Sequence, residues 1–326
     1  MDITIKKIHQ QKKDGYKCSR LELIFEGKMV DSTLVNTIRR LCLETVPTYA
    51  FCKQSINIEK NDTIFDNDYM KLRLSQITYP NVKSKIYYLP EKYWKNNNIQ
   101  DKHPDDKKKL EMHINVNNKS NINMNIFTNT PGVEFYEDNK KVDDLFDPKY
   151  PMLLIQLRPN EQFIARAIGI LGVGLKSDIW GASANCYYEE LNTNKYRFIL
   201  ESAGQIEERK IIIKSCQYII KRLEYLKDII SDIIKEEIND NNNDNKVSKY
   251  IINLEDENHT VAYILNDYLQ NHDKVLFSGV SKEFLLINTM TIKLITKSKP
   301  NPIVIESIDD IIKTFDYIHK LVKKFK

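Results

Sequence analysis

Thr33-Leu34-Val35-Asn36-Thr37-Ile38-Arg39-Arg40-Leu41-Cys42-Leu43 and Thr260-Val261-Ala262-Tyr263-Ile264-Leu265-Asn266-Asp267-Tyr268-Leu269-Gln270 are built to one plan. Each opens on threonine and an aliphatic residue, then places apolar side chains four and seven or eight positions on. That is the spacing of a helix buried along one side. The first stripe is Leu34, Ile38, Leu41 and Cys42, and the second is Val261, Ile264, Leu265, Tyr268 and Leu269. An alternating stretch over residues 20–30 predicts a strand before the first helix, with Asp31 or Ser32 as its cap. Val46-Pro47 ends that helix, because proline disfavours helical geometry in the residue before it. A strand over residues 250–254 precedes the second helix, with Thr260 as the predicted cap. Two diverged copies of a strand–helix–strand plan in one chain predict pseudo-symmetric self-pairing.

Outward from these stretches lie two longer helices. Ile212, Cys216, Ile219, Leu223, Leu226, Ile230 and Ile233 step by 4, 3, 4, 3, 4 and 3 residues. Ile308, Ile311, Phe315, Ile318, Val322 and Phe325 step by 3, 4, 3, 4 and 3. A narrow seam of this kind wants a partner helix, so the two helices are expected to pair with each other, in preference to each packing on its own sheet. Residues 55–60, 152–158, 162–168, 196–201, 275–277 and 288–296 read as further strands. Residues 68–75 read as a helix with Tyr69, Leu72 and Gln76 one turn apart.

Composition shifts near Pro80. To about Pro151 the chain is rich in lysine and asparagine and holds no cysteine. Tyr87, Tyr88, Leu110, Met112, Ile114, Ile126 and Phe127 still offer a modest core, which predicts an inserted small domain. The predicted organisation is therefore residues 1–80 with 151–238 as a discontinuous module, 81–150 as the insertion, an asparagine-rich linker over 239–249, and 250–326 as a second module.

The 326 residues carry 49 lysines and arginines against 45 acids, a net charge of +4. That balance argues against a protein whose main work is coating nucleic acid. Hydrophobic residues make up 41% of the chain, enough for a packed core. No apolar run approaches the roughly 18 residues that suggest a membrane span, and the first seven residues contain no apolar signal-peptide core. The five cysteines, Cys18, Cys42, Cys52, Cys186 and Cys216, form no CxxC pair, so buried free thiols in a reducing compartment are expected. The six histidines show no metal-binding pattern.

These residues resemble a known family. Leu34-Val35-Asn36-Thr37-Ile38-Arg39-Arg40 followed by Glu44-Thr45-Val46-Pro47-Thr48 is similar to the signature of the α subunit of bacterial RNA polymerase, the archaeal D subunit and the larger eukaryotic α-like subunit. Asn67-Asp68-Tyr69-Met70-Lys71-Leu72-Arg73-Leu74, Leu157-Arg158-Pro159-Asn160-Glu161, Gly172-Val173-Gly174-Leu175-Lys176 through Trp180, and Phe198-Ile199-Leu200-Glu201-Ser202-Ala203-Gly204 resemble later stretches of that family, in order. Glu255-Asp256-Glu257-Asn258-His259-Thr260-Val261 and Lys274-Val275-Leu276-Phe277-Ser278-Gly279 resemble the smaller partner, archaeal subunit L. The chain thus looks like a fusion of the two α-like subunits, a pattern known among large cytoplasmic DNA viruses.

The resemblance implies an α+β fold of two pseudo-symmetric α-like dimerisation modules paired within one chain, the first interrupted by the insertion. It implies a non-catalytic assembly subunit of a multisubunit DNA-directed RNA polymerase. The partners would be the two largest subunits and small polymerase subunits, with DNA touched only indirectly and no membrane involved. The location would be a cytoplasmic viral factory or virion, or the nucleus if the source is cellular. Leu34, Ile38, Leu41, Val261, Leu265, Leu269, Leu223, Leu226, Phe315 and Ile318 would make the intramolecular pairing. Arg39, Arg40, Gly172, Gly174, Lys176 and Trp180 would face the large subunits, with arginine suited to interface cores by its planar fork. Cellular D-type subunits often carry clustered cysteines in the insertion; residues 81–150 have none, so no metal and no cofactor is expected. Tyr263 and Asn266 depart from the asparagine and arginine usual in the second helix motif, which puts large-subunit contacts by that face in question. No bacterial-type DNA-binding domain follows Lys326, so promoter-element recognition is not implied.

The alternative is a stand-alone nucleic-acid- or nucleotide-binding protein using the glycine-rich loop 169–177. The Walker pattern needs lysine directly after its second glycine, but Leu175 stands between Gly174 and Lys176, and no clear amphipathic helix follows. Asp309-Asp310, Glu207-Glu208 and Glu189-Glu190 are assigned to helix starts or turns rather than to metal or acid–base work. His259 is assigned a structural role.

Overall fold

The computed structural model describes residues 2–12, 19–95, 102–143, 145–236, 248–282, 287 and 289–325. Cys18 and most of the predicted 239–249 linker lie outside these residues. Among them are six α-helices: α1 (Ser32–Glu44), α2 (Asn67–Ser75), α3 (Glu91–Trp94), α4 (Glu208–Ile233), α5 (His259–Gln270) and α6 (Pro300–Lys323). None is long and apolar enough to cross a membrane.

The first module is an antiparallel sheet in the order Thr4–Lys12, Ser19–Glu26, Lys195–Ser202, Ser183–Asn192, with α1 and α4 packed against it. The helix α1 starts where its sequence dictates. The Asp31 carboxylate accepts a hydrogen bond from the Leu34 amide at 2.7 Å, and Leu34, Val35, Ile38, Leu41 and Cys42 are buried. The second module repeats the plan. Its sheet runs Ile234–Glu236, Ser248–Glu255, Thr289–Thr296, Val275–Ser281, and carries α5, against which α6 packs. Its first strand follows directly on the end of α4, so the first module's long helix feeds the second module's sheet. Ser248 and Lys249 belong to the next strand, so the predicted linker ends earlier than residue 249.

Both heptad seams are buried. From Ile212 to Ile230, and from Ile308 to Val322, every seam position is inside, while Ile233 and Phe325 at the ends are half-buried. Burying one such side chain stabilises a fold by roughly 1.5–3 kcal/mol. The seams therefore dominate over the exposed ion pairs nearby, which contribute about 0–1 kcal/mol each. The two sheets and α1, α4, α5 and α6 share a single continuous core.

The insertion is larger than composition indicates. A second core draws on Tyr49, Phe51, Ile56, Met70 and Leu74 before residue 81, and on Leu154, Phe163, Leu171 and Val173 after residue 150. Its five-stranded antiparallel sheet runs Ile56–Asn61, Gln162–Ile168, Leu110–Asn117, Val133–Glu137, Lys140–Lys141. Gln162–Ile168 thus lies between Ile56–Asn61 and Leu110–Asn117, with Ala165 opposite both Ile58 and Ile114. The boundaries at 80 and 151 are corrected accordingly: strands on both sides of them complete the inserted sheet, because a central strand must satisfy its backbone groups on both edges. Tyr87 is exposed and Phe127 half-buried, so neither is the core residue predicted, whereas Leu110, Met112, Ile114 and Ile126 are buried. The helix α2 turns Met70 and Leu74 inward and leaves Tyr69 and Leu72 exposed, reversing the predicted face.

Three smaller expectations are corrected. The cap of α5 is Asn258, whose side chain accepts from the Thr260 amide at 3.0 Å; Thr260 is inside the helix, with its hydroxyl buried and without a hydrogen-bond partner. Asp309-Asp310 lies in the middle of α6, and Glu189-Glu190 lies in the strand Ser183–Asn192. Glu207-Glu208 does stand at the start of α4.

Candidate functional site

The two short helices meet across the pseudo-symmetric centre, and the two long helices lie against each other beside them. Leu34, Ile38, Leu41, Leu223 and Leu226 from the first module, and Val261, Leu265, Leu269, Phe315 and Ile318 from the second, are all at most 3% exposed and lie in the one shared core. Polar contacts join the modules around this apolar centre. Lys227 on α4 donates to both carboxylate oxygens of Asp309 on α6 at 2.6 and 2.9 Å. Arg209 of α4 donates to the Phe325 carbonyl. Lys95, next to α3, reaches Asp256 at 3.3 Å and so ties the inserted region to the turn before α5.

The most buried of these contacts is the ion pair of Arg222 on α4 with Glu257, one residue before the α5 cap. Burial pushes the Glu257 carboxyl up to about 7 against the opposing pull of Arg222, with the Glu91 and Asp256 carboxylates adding to the rise. At the other end of the α1–α5 contact, burial and the neighbouring Asp31 carboxylate lift Asp267 to about 6. The four described cysteines are free and buried, and burial raises the Cys216 thiol well above its usual range. Among the described residues no group of three or more His, Cys, Asp or Glu side chains is placed to hold a metal ion.

Beside the α1–α5 contact is an open groove of about 360 Å³, lined by Asn36, Arg40, Tyr188, His259, Thr260 and Tyr263 among others. Arg39 is half-buried and bonds the Asn36 side-chain carbonyl at 3.0 and 3.1 Å, while Arg40 pairs with Glu44 at 2.9 Å. Two polar atoms at this groove are buried without hydrogen-bond partners: Arg40 Nε and Thr260 Oγ1. Tyr263 is 52% exposed with its ring against His259, but Asn266 is turned inward and accepts from the Ser278 hydroxyl at 2.7 Å. Of the two departures from the helix motif, only Tyr263 stands at the surface.

The glycine-rich loop is a packed strap. Ile170–Gly172 pairs with Thr48–Ala50, and the chain then passes the C-terminal end of α1, where the Leu175 amide donates to the Glu44 carbonyl at 2.8 Å. A Cβ on Gly172 would stand 2.6 Å from the Trp180 ring, and one on Gly174 would stand 2.3 Å from the Leu43 carbonyl oxygen. Trp180 is buried, donating from Nε1 to the Ile170 carbonyl at 2.9 Å. Lys176 donates to the Trp94 carbonyl and lies over the Trp180 ring, and burial lowers its pKa. Of the residues expected at the large-subunit interface, Gly172, Gly174, Lys176 and Trp180 are each packed or bonded within the chain. The strap leads into a 3-10 turn, Asp178–Trp180, and not into an α-helix, so the geometry that a phosphate-binding loop requires is missing. Leu175, read from the sequence only as the residue that breaks the Walker spacing, is the strap residue left exposed.

Pairing of equivalent helices around one core is the architecture of a dimer accomplished by a single chain. The RNA polymerase Rpb3/Rpb11 dimerisation domain matches residues 25–223 and, in a second form, residues 249–320. This chain belongs to that family. It carries two Rpb3/Rpb11-type domains, one holding α1 and the other α5. A similar protein from Acanthamoeba polyphaga mimivirus is named, provisionally, a DNA directed RNA polymerase subunit. It is 29% identical over 331 residues, covering 94% of this chain and 90% of its own length. The DNA-directed RNA polymerase subunit Rpo3 of Methanosphaera stadtmanae is 27% identical over 212 residues, covering 63% of this chain and 72% of its own. The archaeal similarity thus extends over about two thirds of the chain, and the viral similarity over nearly all of it.

Proposed function

We propose that this protein is a non-catalytic assembly subunit of a multisubunit DNA-directed RNA polymerase, in which the two Rpb3/Rpb11-type domains pair within one chain to form a platform for the two largest subunits. The observation that carries this reading is the continuous core shared by α1, α4, α5 and α6, with the seams of both domains buried against each other. In a fusion the partners share one chain, so their pairing is intramolecular and needs no bimolecular encounter. The platform face is proposed to run from the α1–α5 groove to the strap, with Arg39, Arg40, Tyr263 and Leu175 as its contacts. The exposed Tyr263 and the groove beside the α1–α5 contact, which Arg40 also lines, support this placement. Gly172, Gly174 and Trp180 then act indirectly, by holding the strap against α1.

Affinity capture of the tagged protein from its native source, followed by mass identification, tests the reading. Recovery of both large polymerase subunits is the expected result, and recovery of a lone monomer would overturn it. Substituting Arg40→Glu and Tyr263→Ala together should lower that recovery while leaving the fold intact by circular dichroism.

A further inference from the structure

A second cavity, of about 660 Å³, lies away from the proposed platform face, at the start of α4. Its walls are Gln10 of the first strand, the segment Asn81-Val82-Lys83-Ser84-Lys85, residues 205–207 before α4, and Lys210 and Lys214 on the first turns of that helix. Lys214 is 9% exposed. Its ammonium donates to the Ser84 carbonyl at 3.0 Å and the Ile86 carbonyl at 2.6 Å, which leaves one of its three N–H groups over. Neither Lys214 nor Lys83 nor Lys85 has a carboxylate partner among the described residues, and the single acid of the lining, Glu207, is paired with Lys210 at 3.2 Å.

A buried ammonium without a counter-ion is expensive, and burial beside Lys210 lowers the Lys214 pKa to about 8. The start of α4 also borders this cavity, but Glu207 and Glu208 already stand there and complement the helix dipole, so the anion preference rests on the lysines. Three unneutralised ammonium groups exceed the charge of a single phosphate group, about −1.5 to −2 at neutral pH.

We propose that this cavity binds a small anion carrying two or more phosphate groups, with Lys214 at its floor and Lys83, Lys85 and Lys210 around it. Its volume falls in the roughly 300–1,000 Å³ range of small-molecule sites. Such an anion would bridge α4 to the segment that enters the insertion, which Lys214 already clasps. The proposal is independent of the assembly role.

The test is calorimetric titration of the full-length protein with inorganic pyrophosphate, against sodium chloride of matched ionic strength. Saturable binding and a raised unfolding midpoint are expected. The exposed-side variant Lys83→Glu/Lys85→Glu should weaken binding by about tenfold or more while the ligand-free midpoint stays unchanged. Lys214→Met should weaken it further, and the first variant keeps the test decisive if Lys214→Met does not fold. Heats no different from the chloride control, or equal affinity in the Lys83→Glu/Lys85→Glu variant, would overturn the proposal. So would saturation by an oligoglutamate peptide or a short single-stranded oligonucleotide where pyrophosphate fails.

Discussion

Removing Arg222 should uncouple the two modules in a way that acid partly repairs. Its guanidinium and the Glu257 carboxylate are 14% and 5% exposed and join α4 to the turn before α5. Arg222→Met fills similar space but leaves the Glu257 carboxylate buried without its cation, a change that costs about 3–5 kcal/mol. With a urea slope of about 3 kcal/mol/M, that loss lowers the denaturation midpoint by roughly 1 M or more. The pH dependence follows from the direction of the shift. Glu257 is at about 7 with Arg222 present, and losing Arg222 removes the pulls that lower it, so it rises further. A carboxyl raised above its unfolded value of 4.5 holds a proton in the folded state that the unfolded state has released. Stability therefore falls as pH rises from about 4.5 through the folded pKa, and the full penalty is present only above it. The variant should be most impaired at pH 8.5 and recover as the pH falls to 5.5. Glu257→Gln in the Arg222→Met background should restore much of the loss at pH 8.5. Urea unfolding followed by far-ultraviolet circular dichroism at both pH values is the assay. A variant as stable as the parent at pH 8.5, or one whose deficit is the same at both pH values, would refute the argument.

Leu34→Asp places a charge at a position 2% exposed in the shared core, and should abolish recovery of the polymerase complex in affinity capture; normal yield would count against the pairing. Gly174→Ala drives a Cβ onto the Leu43 carbonyl oxygen, a backbone atom that cannot rotate away. It should cost about 1–3 kcal/mol and make the strap a new site of proteolytic nicking, seen by mass spectrometry of limited digests. Asp267 is raised to about 6 from 3.8 by burial and by Asp31, so its contribution to stability diminishes as pH rises through that window. Asp267→Asn should then raise the urea midpoint at pH 8 and flatten its dependence on pH between 4 and 7.

What the sequence determined by itself about this protein is what neighbouring residues can settle. The α1 stripe, its cap at Asp31 or Ser32, and the two heptad seams rest on spacings of three or four residues along one chain segment. Amphipathic period and capping act within a turn or two, so they are legible without the fold. The resemblance to α-like subunits was carried by the same local stretches. The tertiary structure decided what depends on residues far apart. Gln162–Ile168 reads the same in any sheet, but its partners, Ile56–Asn61 and Leu110–Asn117, lie about 100 and 50 residues away and make the insertion larger than its composition marks. Trp180 reads as a surface contact until Gly172 is seen to leave room for its ring. Arg222–Glu257, and the lysine cavity around Lys214, depend on segments that meet only once both cores have formed. Long-range pairing and burial decide these features because the cost of an unpaired charge or strand edge depends on what the rest of the chain brings to it.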